Sequence, residues 1–527
     1  MNPLSRGGAT LAHAVRGLYK QGQTDYFLEP LVLVDGQGQA IGRIQDGDAV
    51  VFCCRRGERE IQLTEAFVDP DLNQFPRRQF QDLTFVLLTL YHEKFKGLPV
   101  AFAPTRIDDT LGQVVSRAGL RQLRVAESEK FAHVTYFFNG GNSRPFPGQD
   151  NVRVPSLRGI PFHRVPEMSL PQVTAQVLHG LDEGYDLIVA NFANGDVLGH
   201  TQNREAKIEC AAQVDAHLGQ VVDAALAGGY VVLVTADHGN LEKMARPDGK
   251  PHVSHTSNPV PFLLLDPKQP PGRMTVRDGI LADIAPTVLD AIGLPSPQAM
   301  TARTLAPGYR WDPPRRVLLL ILDGWGIGRE DDTNPIFLAP TPVWDRLRRD
   351  SLGAQLEAAG EAAGLRPGKP GNSEAGHMNM GAGRVVLQDD VRLDRAMKDG
   401  SFETNPVLRQ AIDKAQRPGR SLHLIGLLSE KSSHGSIDYP LALLRMASAA
   451  GLSQVYLHMI LDGRSTAPGS APQMLEGLER RADEIGVGRI VSAMGRGIAL
   501  DRDGDYGKTQ RAYEALVYGA GSHCAAG

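Results

Sequence analysis

Four short segments carry side chains able to hold a metal ion. The first is Asn191-Phe192-Ala193-Asn194-Gly195-Asp196-Val197-Leu198-Gly199-His200, where a carboxylate and an imidazole stand four residues apart. One helical turn at that point puts both on one face. The second is Thr235-Ala236-Asp237-His238-Gly239-Asn240, with carboxylate and imidazole adjacent. The third, His252-Val253-Ser254-His255, adds imidazoles, and Asp323 adds a carboxylate at the end of an apolar run. Carboxylate oxygen with imidazole nitrogen suits Mn2+ or Zn2+. Singly, each residue has an ordinary explanation: an Asp after a strand commonly caps a helix, and a lone His is commonly a satisfied core or surface group. Several of them together, at the ends of separate apolar runs, are harder to explain by turn chemistry.

A possible nucleophile lies in Pro370-Gly371-Asn372-Ser373-Glu374-Ala375-Gly376-His377. A serine among small residues can sit exposed on a tight turn. Its hydroxyl is a poor nucleophile until the alkoxide is stabilised, which a divalent metal does. On local sequence alone the simpler reading makes Ser373 a helix N-cap. Positive charge stands at Arg56, Arg59, Lys130, Arg464, Arg496 and Arg502. A phosphorylated acid needs such groups, because Arg grips phosphate and carboxylate with paired hydrogen bonds. Most arginines are solvated surface groups, so spacing alone makes no case here.

The elements that must position these residues are buried strands. Apolar runs at 187–190, 230–235 and 317–322 each end just before one of the candidate ligands, and 206–226 has helical periodicity. Short apolar runs alternating with helices indicate an α/β fold with a mostly parallel sheet, whose ligands collect at the carboxyl ends of the strands. A chain of 527 residues exceeds one core of roughly 250–300 residues, so two domains are expected. The stretch 306–316, with Pro307-Gly308 and Pro313-Pro314, reads as a linker. A net charge of −4 argues against a general nucleic-acid binder. No apolar run approaches the roughly 20 residues of a membrane helix, and Met1 to Arg6 lacks an apolar signal core, so a cytoplasmic location is expected. Four cysteines make no disulfide framework; Cys53 and Cys54 read as buried strand residues. The small, polar tail 519–527 is expected to fray.

At these residues the chain resembles the cofactor-independent phosphoglycerate mutases of the alkaline-phosphatase superfamily. The resemblance rests on Leu322-Asp323-Gly324-Trp325-Gly326, Gly371-Asn372-Ser373-Glu374-Ala375-Gly376-His377, Gly381-Ala382-Gly383-Arg384-Val385-Val386, Ala126-Glu127-Ser128-Glu129-Lys130-Phe131-Ala132-His133 and the metal segments. It implies an alkaline-phosphatase-like, mostly parallel sheet sandwiched by helices, plus a second α/β substrate domain. It further implies two divalent ions, most readily Mn2+, one on Asp196, His200 and His255, the other on Asp323, Asp237, His238 and Ser373. Ser373 is then the phosphoryl carrier and Lys130 stabilises the phosphoryl in transfer. His434, Arg464, Ser465, Arg496, Arg502, Arg56, Arg59 and Lys130 match substrate-binding positions. The implied reaction interconverts 3-phosphoglycerate and 2-phosphoglycerate by a monomer acting on a small molecule, with no nucleic-acid or membrane partner. A phosphatase or mutase for a related phosphorylated acid, and a metal-binding pseudoenzyme, are the alternatives.

Motif order is rotated relative to that family. Leu-Asp-Gly-Trp-Gly opens the family's chains but stands here after 316, and the family's C-terminal pattern, Asp283-Ile284-Ala285-Pro286-Thr287-Val288-Leu289, precedes it. A linker at about 304–316 would therefore join the old termini. A cut inside the inserted domain predicts a continuous metal domain at 104–387 and a substrate domain assembled from 1–103 with 388–527. Four departures fall in the substrate domain: Ser465 for an Asp, Lys431-Ser432-Ser433 for a glycine-rich stretch, Asp505-Tyr506 for Arg-Trp, and Cys54-Arg55 for Asn-Phe.

Overall fold

The computed structural model describes residues 6–55, 57–104, 106–268, 274–430 and 432–525. Its strands begin β1 (Leu31–Val34), β2 (Ala49–Phe52), β3 (Thr84–Thr89), β4 (Val100–Phe102), β5 (Gln122–Glu127), β6 (Gln149–Val154), β7 (Leu187–Phe192) and β8 (Val231–Thr235). They continue β9 (Val260–Leu265), β10 (Gly279–Ile280), β11 (Val317–Leu322), β12 (Leu352–Glu357), β13 (Leu422–Leu428), β14 (Val455–Leu461), β15 (Arg489–Gly495) and β16 (Ser522–Ala525). Two sheets of eight strands result, ordered β16-β1-β15-β14-β13-β2-β3-β4 and β10-β12-β9-β8-β11-β7-β5-β6. The chain divides into two compact units, Met1–Pro104 with Arg392–Gly527, and Thr105–Val391. The first sheet takes its strands from both ends of the chain, whereas every strand of the second lies between residues 122 and 357.

In the second unit β11 runs parallel between β7 and β8. Its six residues, Val-Leu-Leu-Leu-Ile-Leu, are all buried, which is why the run is continuous rather than alternating: helices cover both faces. Burying six such side chains contributes on the order of 10 kcal/mol before chain entropy is charged against it. The helix Arg204–Ala227 is capped by Asn203, whose side chain accepts from the Ala206 N–H, and buries a stripe through Cys210, Val214, Leu218 and Val221. In the first unit β2, β13, β14 and β15 are parallel neighbours, and β1 pairs antiparallel with β15.

Three expectations need correction. The tail does not fray through the described residues: Ser522–Ala525 forms β16, parallel to β1, with Cys524 turned into the core. Pairing along an open sheet edge orders a segment whose composition alone gives no strand signal. Cys53 and Cys54 are fully buried but follow the end of β2 rather than lying in it. Strand β7 runs two residues further than its apolar core, through Asn191 and Phe192. Residues 306–316 form neither helix nor strand. Among the described residues no helix is long and apolar enough to cross a membrane.

Candidate active site

Strand register sets the geometry of the second unit. Leu322 of β11 is opposite Phe192 of β7, and Ile321 is opposite Thr235 of β8, so the three strands end level. The residues that follow are Asp323, the helix Asn194–Gly199 with Asp196, and the Asp237-His238 pair. Gly324 turns with φ 74°, and a Cβ there would meet the Asp196 backbone at 2.6 Å, so only glycine lets the two loops close up. Lys130 arrives from the loop after β5. Ser373 is the first residue of the helix Ser373–Ala382, and its cap is Asn372, whose side chain accepts from the Ala375 N–H. The N-cap reading of Ser373 is therefore wrong by one residue, and its hydroxyl is left for other work.

That hydroxyl stands where the cluster converges. Lys130 Nζ lies 2.7 Å from Ser373 Oγ, 2.6 Å from Asp196 Oδ2 and 2.7 Å from Asp323 Oδ1. His238 Nε2 is 2.9 Å from Ser373 Oγ and 3.6 Å from both Asp237 Oδ2 and Asp323 Oδ1. Asp196 Oδ1 faces His255 Nε2 at 3.1 Å and His200 Nε2 at 3.3 Å. Two groups have all their ligand atoms within 4.8 Å of one another: Asp196 with His238 and His255, and Asp237 with Asp323 and His377. His238 thus stands among the three carboxylates, within 3.8 Å of each, and His200 stands at the outer edge.

The second nitrogens of the rings are already committed. Nδ1 of His200, His238 and His255 points at the carbonyls of Val253, Gly239 and Gly371, at 2.9, 3.2 and 2.8 Å. Backbone acceptors there fix the Nδ1–H tautomer and turn each Nε2 inward, the arrangement of metal-bound histidines. Electrostatics point the same way. Burial would raise the Asp196 carboxyl, but Lys130 and the three imidazoles overcome it and hold it well below the usual range. Burial likewise works against the Asp237 carboxylate, and His238 and His377 reverse it, so this group too stays ionised. Asp323 is raised instead, by burial and by the Asp237 charge beside it. Burial opposes the Lys130 ammonium, and the surrounding carboxylates more than restore it. One ammonium among three carboxylates leaves an excess of buried negative charge, and Asp237 Oδ2 has no hydrogen-bond partner among the described residues. The donor set fits divalent cations.

His377 and Asn191 belong to this cluster without having been singled out in sequence. His377 Nδ1 is 2.9 Å from the Ser373 carbonyl and 3.3 Å from Asp237 Oδ2, and Asn191 Nδ2 is 2.7 Å from Asp323 Oδ2. The spacing of four between Ser373 and His377 on a helix was the available signal.

The described basic candidates other than Lys130 lie in the first unit, past the carboxyl ends of β2, β13, β14 and β15. Arg496 is buried and paired with Asp462, whose other oxygen accepts from the Ser465 N–H at 3.0 Å. Arg59 is buried and donates to the Leu500 carbonyl at 3.1 Å. His434 Nδ1 is 3.1 Å from Glu60 Oε1. Arg464, Ser465 and Arg502 are exposed, and Arg56 lies outside the described residues.

A family model described as Metalloenzyme superfamily matches residues 7–296, more than half of the chain. The chain belongs to the metalloenzyme superfamily. A second model, BPG-independent PGAM N-terminus, matches residues 393–526 of this metalloenzyme. Its curated relatives include 2,3-bisphosphoglycerate-independent phosphoglycerate mutases. That of Syntrophotalea carbinolica is 47% identical over 56% of this chain and 57% of its own. That of Moorella thermoacetica is 45% identical over 56% of each chain. The metalloenzyme spans somewhat over half the length of the curated relatives it matches. A solved phosphoglycerate mutase of Leishmania mexicana aligns at 30% identity over 52% of this chain and 53% of its own, with a TM-score of 0.41. The buried carboxylate and imidazole groups are the kind of donor set that a divalent cation takes, as a metalloenzyme needs.

Proposed function

We propose that this metalloenzyme interconverts 3-phosphoglycerate and 2-phosphoglycerate, an intramolecular phosphoryl transfer of glycolysis and gluconeogenesis. The observation that carries the reading is the position of Ser373 Oγ, within 2.9 Å of both Lys130 Nζ and His238 Nε2 and 3.3 Å from Asp323 Oδ1. Asp196, His200 and His255 would hold one ion, and Asp323, Asp237, His238 and Ser373 the other; Mn2+ suits this mixture of oxygen and nitrogen donors. Divalent ions held there would ease ionisation of the Ser373 hydroxyl and would offset negative charge on the phosphoryl oxygens. Ser373 Oγ attacks phosphorus and the glycerate oxygen leaves; the glycerate then reorients, and its other hydroxyl takes the phosphoryl back from the serine. Lys130, hydrogen-bonded to the hydroxyl, offsets charge as it passes to the phosphoryl oxygens. The N-terminus of the helix that begins at Ser373 supports the same anion.

Residues 105–391 then form the phosphatase-like metal domain, and the first unit binds glycerate through His434, Arg464, Ser465, Arg496, Arg502, Arg56 and Arg59. Circular permutation accounts for the order of matches. The model named for an N-terminus falls at 393–526, after the residues 7–296 matched by the other. In a rotated chain, one colinear alignment takes in only one of two blocks, as with alignments covering 56% of this chain. Four unpaired, buried cysteines suit a reducing cytoplasm. A second reading, a related phosphorylated acid as substrate, is favoured by Ser465, which lines a cleft of about 640 Å³ where the resemblance leads to a carboxylate.

The test is a coupled mutase assay with Mn2+ and without 2,3-bisphosphoglycerate. Turnover is expected, lost in excess chelator and restored by Mn2+. No turnover with either phosphoglycerate would remove this substrate, and full activity in chelator after dialysis would remove the two-metal mechanism.

A further inference from the structure

Outside the metal cluster, the imidazole of His434 in the first unit has a carboxylate set against it by the fold. Glu60, on the helix Gly57–Val68, is fully buried, and its Oε1 lies 3.1 Å from Nδ1 of His434. Its other oxygen has no hydrogen-bond partner among the described residues. A carboxylate is not buried this way without a reason, because the cost is several kcal/mol unless a partner offsets it. The backbone that carries His434 is gripped as well. Arg55 is buried; its Nη2 donates to the Ser432 carbonyl at 2.9 Å and its Nε to the Ser433 carbonyl at 3.2 Å. The Arg55 N–H donates to the His434 carbonyl at 2.9 Å. Arg55 and the Ser432-Ser433 step, two of the departures noted in sequence, thus contact each other.

A carboxylate accepts from Nδ1–H, so the neutral ring keeps its lone pair on Nε2. We propose that Glu60 is a positioning residue for His434, holding the Nδ1–H tautomer so that Nε2 passes protons to and from the two glycerate hydroxyls. This rests on the phosphoglycerate reading above. As the substrate ester breaks, Nε2–H of the imidazolium gives its proton to the departing glycerate oxygen. When the other hydroxyl attacks the phosphoserine, the neutral Nε2 takes that hydroxyl's proton. The ring ends the cycle as it began, and no proton passes to Glu60 in this scheme. Burial raises the Glu60 carboxyl, the His434 imidazole and then Arg496 work against that rise, and Cys54 and Tyr91 are buried and held in their neutral forms. Arg55 holds the loop through the Ser432 and Ser433 carbonyls.

The test uses the full-length protein, with 15N-labelled histidine and no substrate. NMR of neutral His434 is expected to give the Nδ1–H tautomer in wild type and in Glu60→Gln, whose amide oxygen still accepts. Glu60→Ala is expected to move the ring to Nε2–H, the form favoured by free imidazole. In the mutase assay Glu60→Ala loses kcat by roughly 100-fold or more with little change in KM, the scale of one acid–base group, and Glu60→Gln recovers part of it. A wild-type ring in the Nε2–H form overturns the proposal, as does Glu60→Ala with unchanged tautomer. So does a Glu60→Ala enzyme that keeps wild-type kcat. Absent mutase turnover in wild type would instead refute the substrate reading, and the tautomer would still decide the role of Glu60.

Discussion

Lowering the pH from 7 to 5 should loosen the core of the first sheet through His458. This ring sits on β14, 2% exposed, between His423 on β13 and Ser492 on β15. Asp48 Oδ2 lies 3.1 Å from His423 Nε2, so that nitrogen donates and His423 Nδ1 is left as an acceptor. His458 Nε2, 3.1 Å away, therefore donates to it, and His458 Nδ1 accepts from the Ser492 hydroxyl at 2.8 Å. Every polar hydrogen in this arrangement is used with His458 neutral. Burial, and then the neighbouring His423, hold His458 well below the ordinary histidine value. The unfolded chain binds a proton below about 6.5 while the native state does not, so stability falls as pH drops below that value and is unaffected above it. The loss is about 1.36 kcal/mol per pH unit, or about 2 kcal/mol at pH 5. All three tryptophans lie in the other unit, so their fluorescence is blind to this sheet. Hydrogen exchange of peptides spanning β13 to β15, corrected for intrinsic rates, reads it directly. His458→Gln, which keeps a donor for His423 but does not titrate, is the control. Wild type should lose about 2 kcal/mol more protection than the variant between pH 7 and 5. Identical pH dependence of the two proteins would refute the reasoning.

Ser373→Ala should abolish transfer and leave the fold intact, because Lys130 keeps both of its carboxylates. Activity above a few per cent of wild type, with an unchanged circular-dichroism spectrum, would show that Ser373 does not carry the phosphoryl group. Arg496→Met should destabilise the first unit by about 3–5 kcal/mol, because it leaves Asp462 buried and unpaired. Adding Asp462→Asn should recover most of that loss in urea denaturation, and a double variant as unstable as the single one would contradict it.

Much of the site was legible in sequence because its signals are local. The run 317–322 is apolar at every position and ends in Asp323, and the structure has a strand of those bounds buried on both faces. Asp196 and His200 are four apart, and a single helical turn sets their polar atoms 3.3 Å from one another. The 206–226 periodicity became the helix Arg204–Ala227. What failed depended on neighbours distant in the chain. Ser373 and Asn372 both have cap chemistry, and only the helix start, packed against the Asp237 loop, decides between them. The tail 522–525 is a strand because β1, some 490 residues earlier, offers an open edge. Glu60 reads in sequence as one more acid in a charged helical turn, and only the β2–β13 pairing sets it against His434.

The sequence by itself determined the residue types, the periodicities and the strand ends at which chemistry would collect, since hydrophobic pattern and turn chemistry act over a few residues. Tertiary structure alone decided which of those ends lie level, which ring nitrogen faces inward, and which buried charges share one pocket. These are matters of strand register and of a low-dielectric interior, where groups hundreds of residues apart set each other's protonation and orientation.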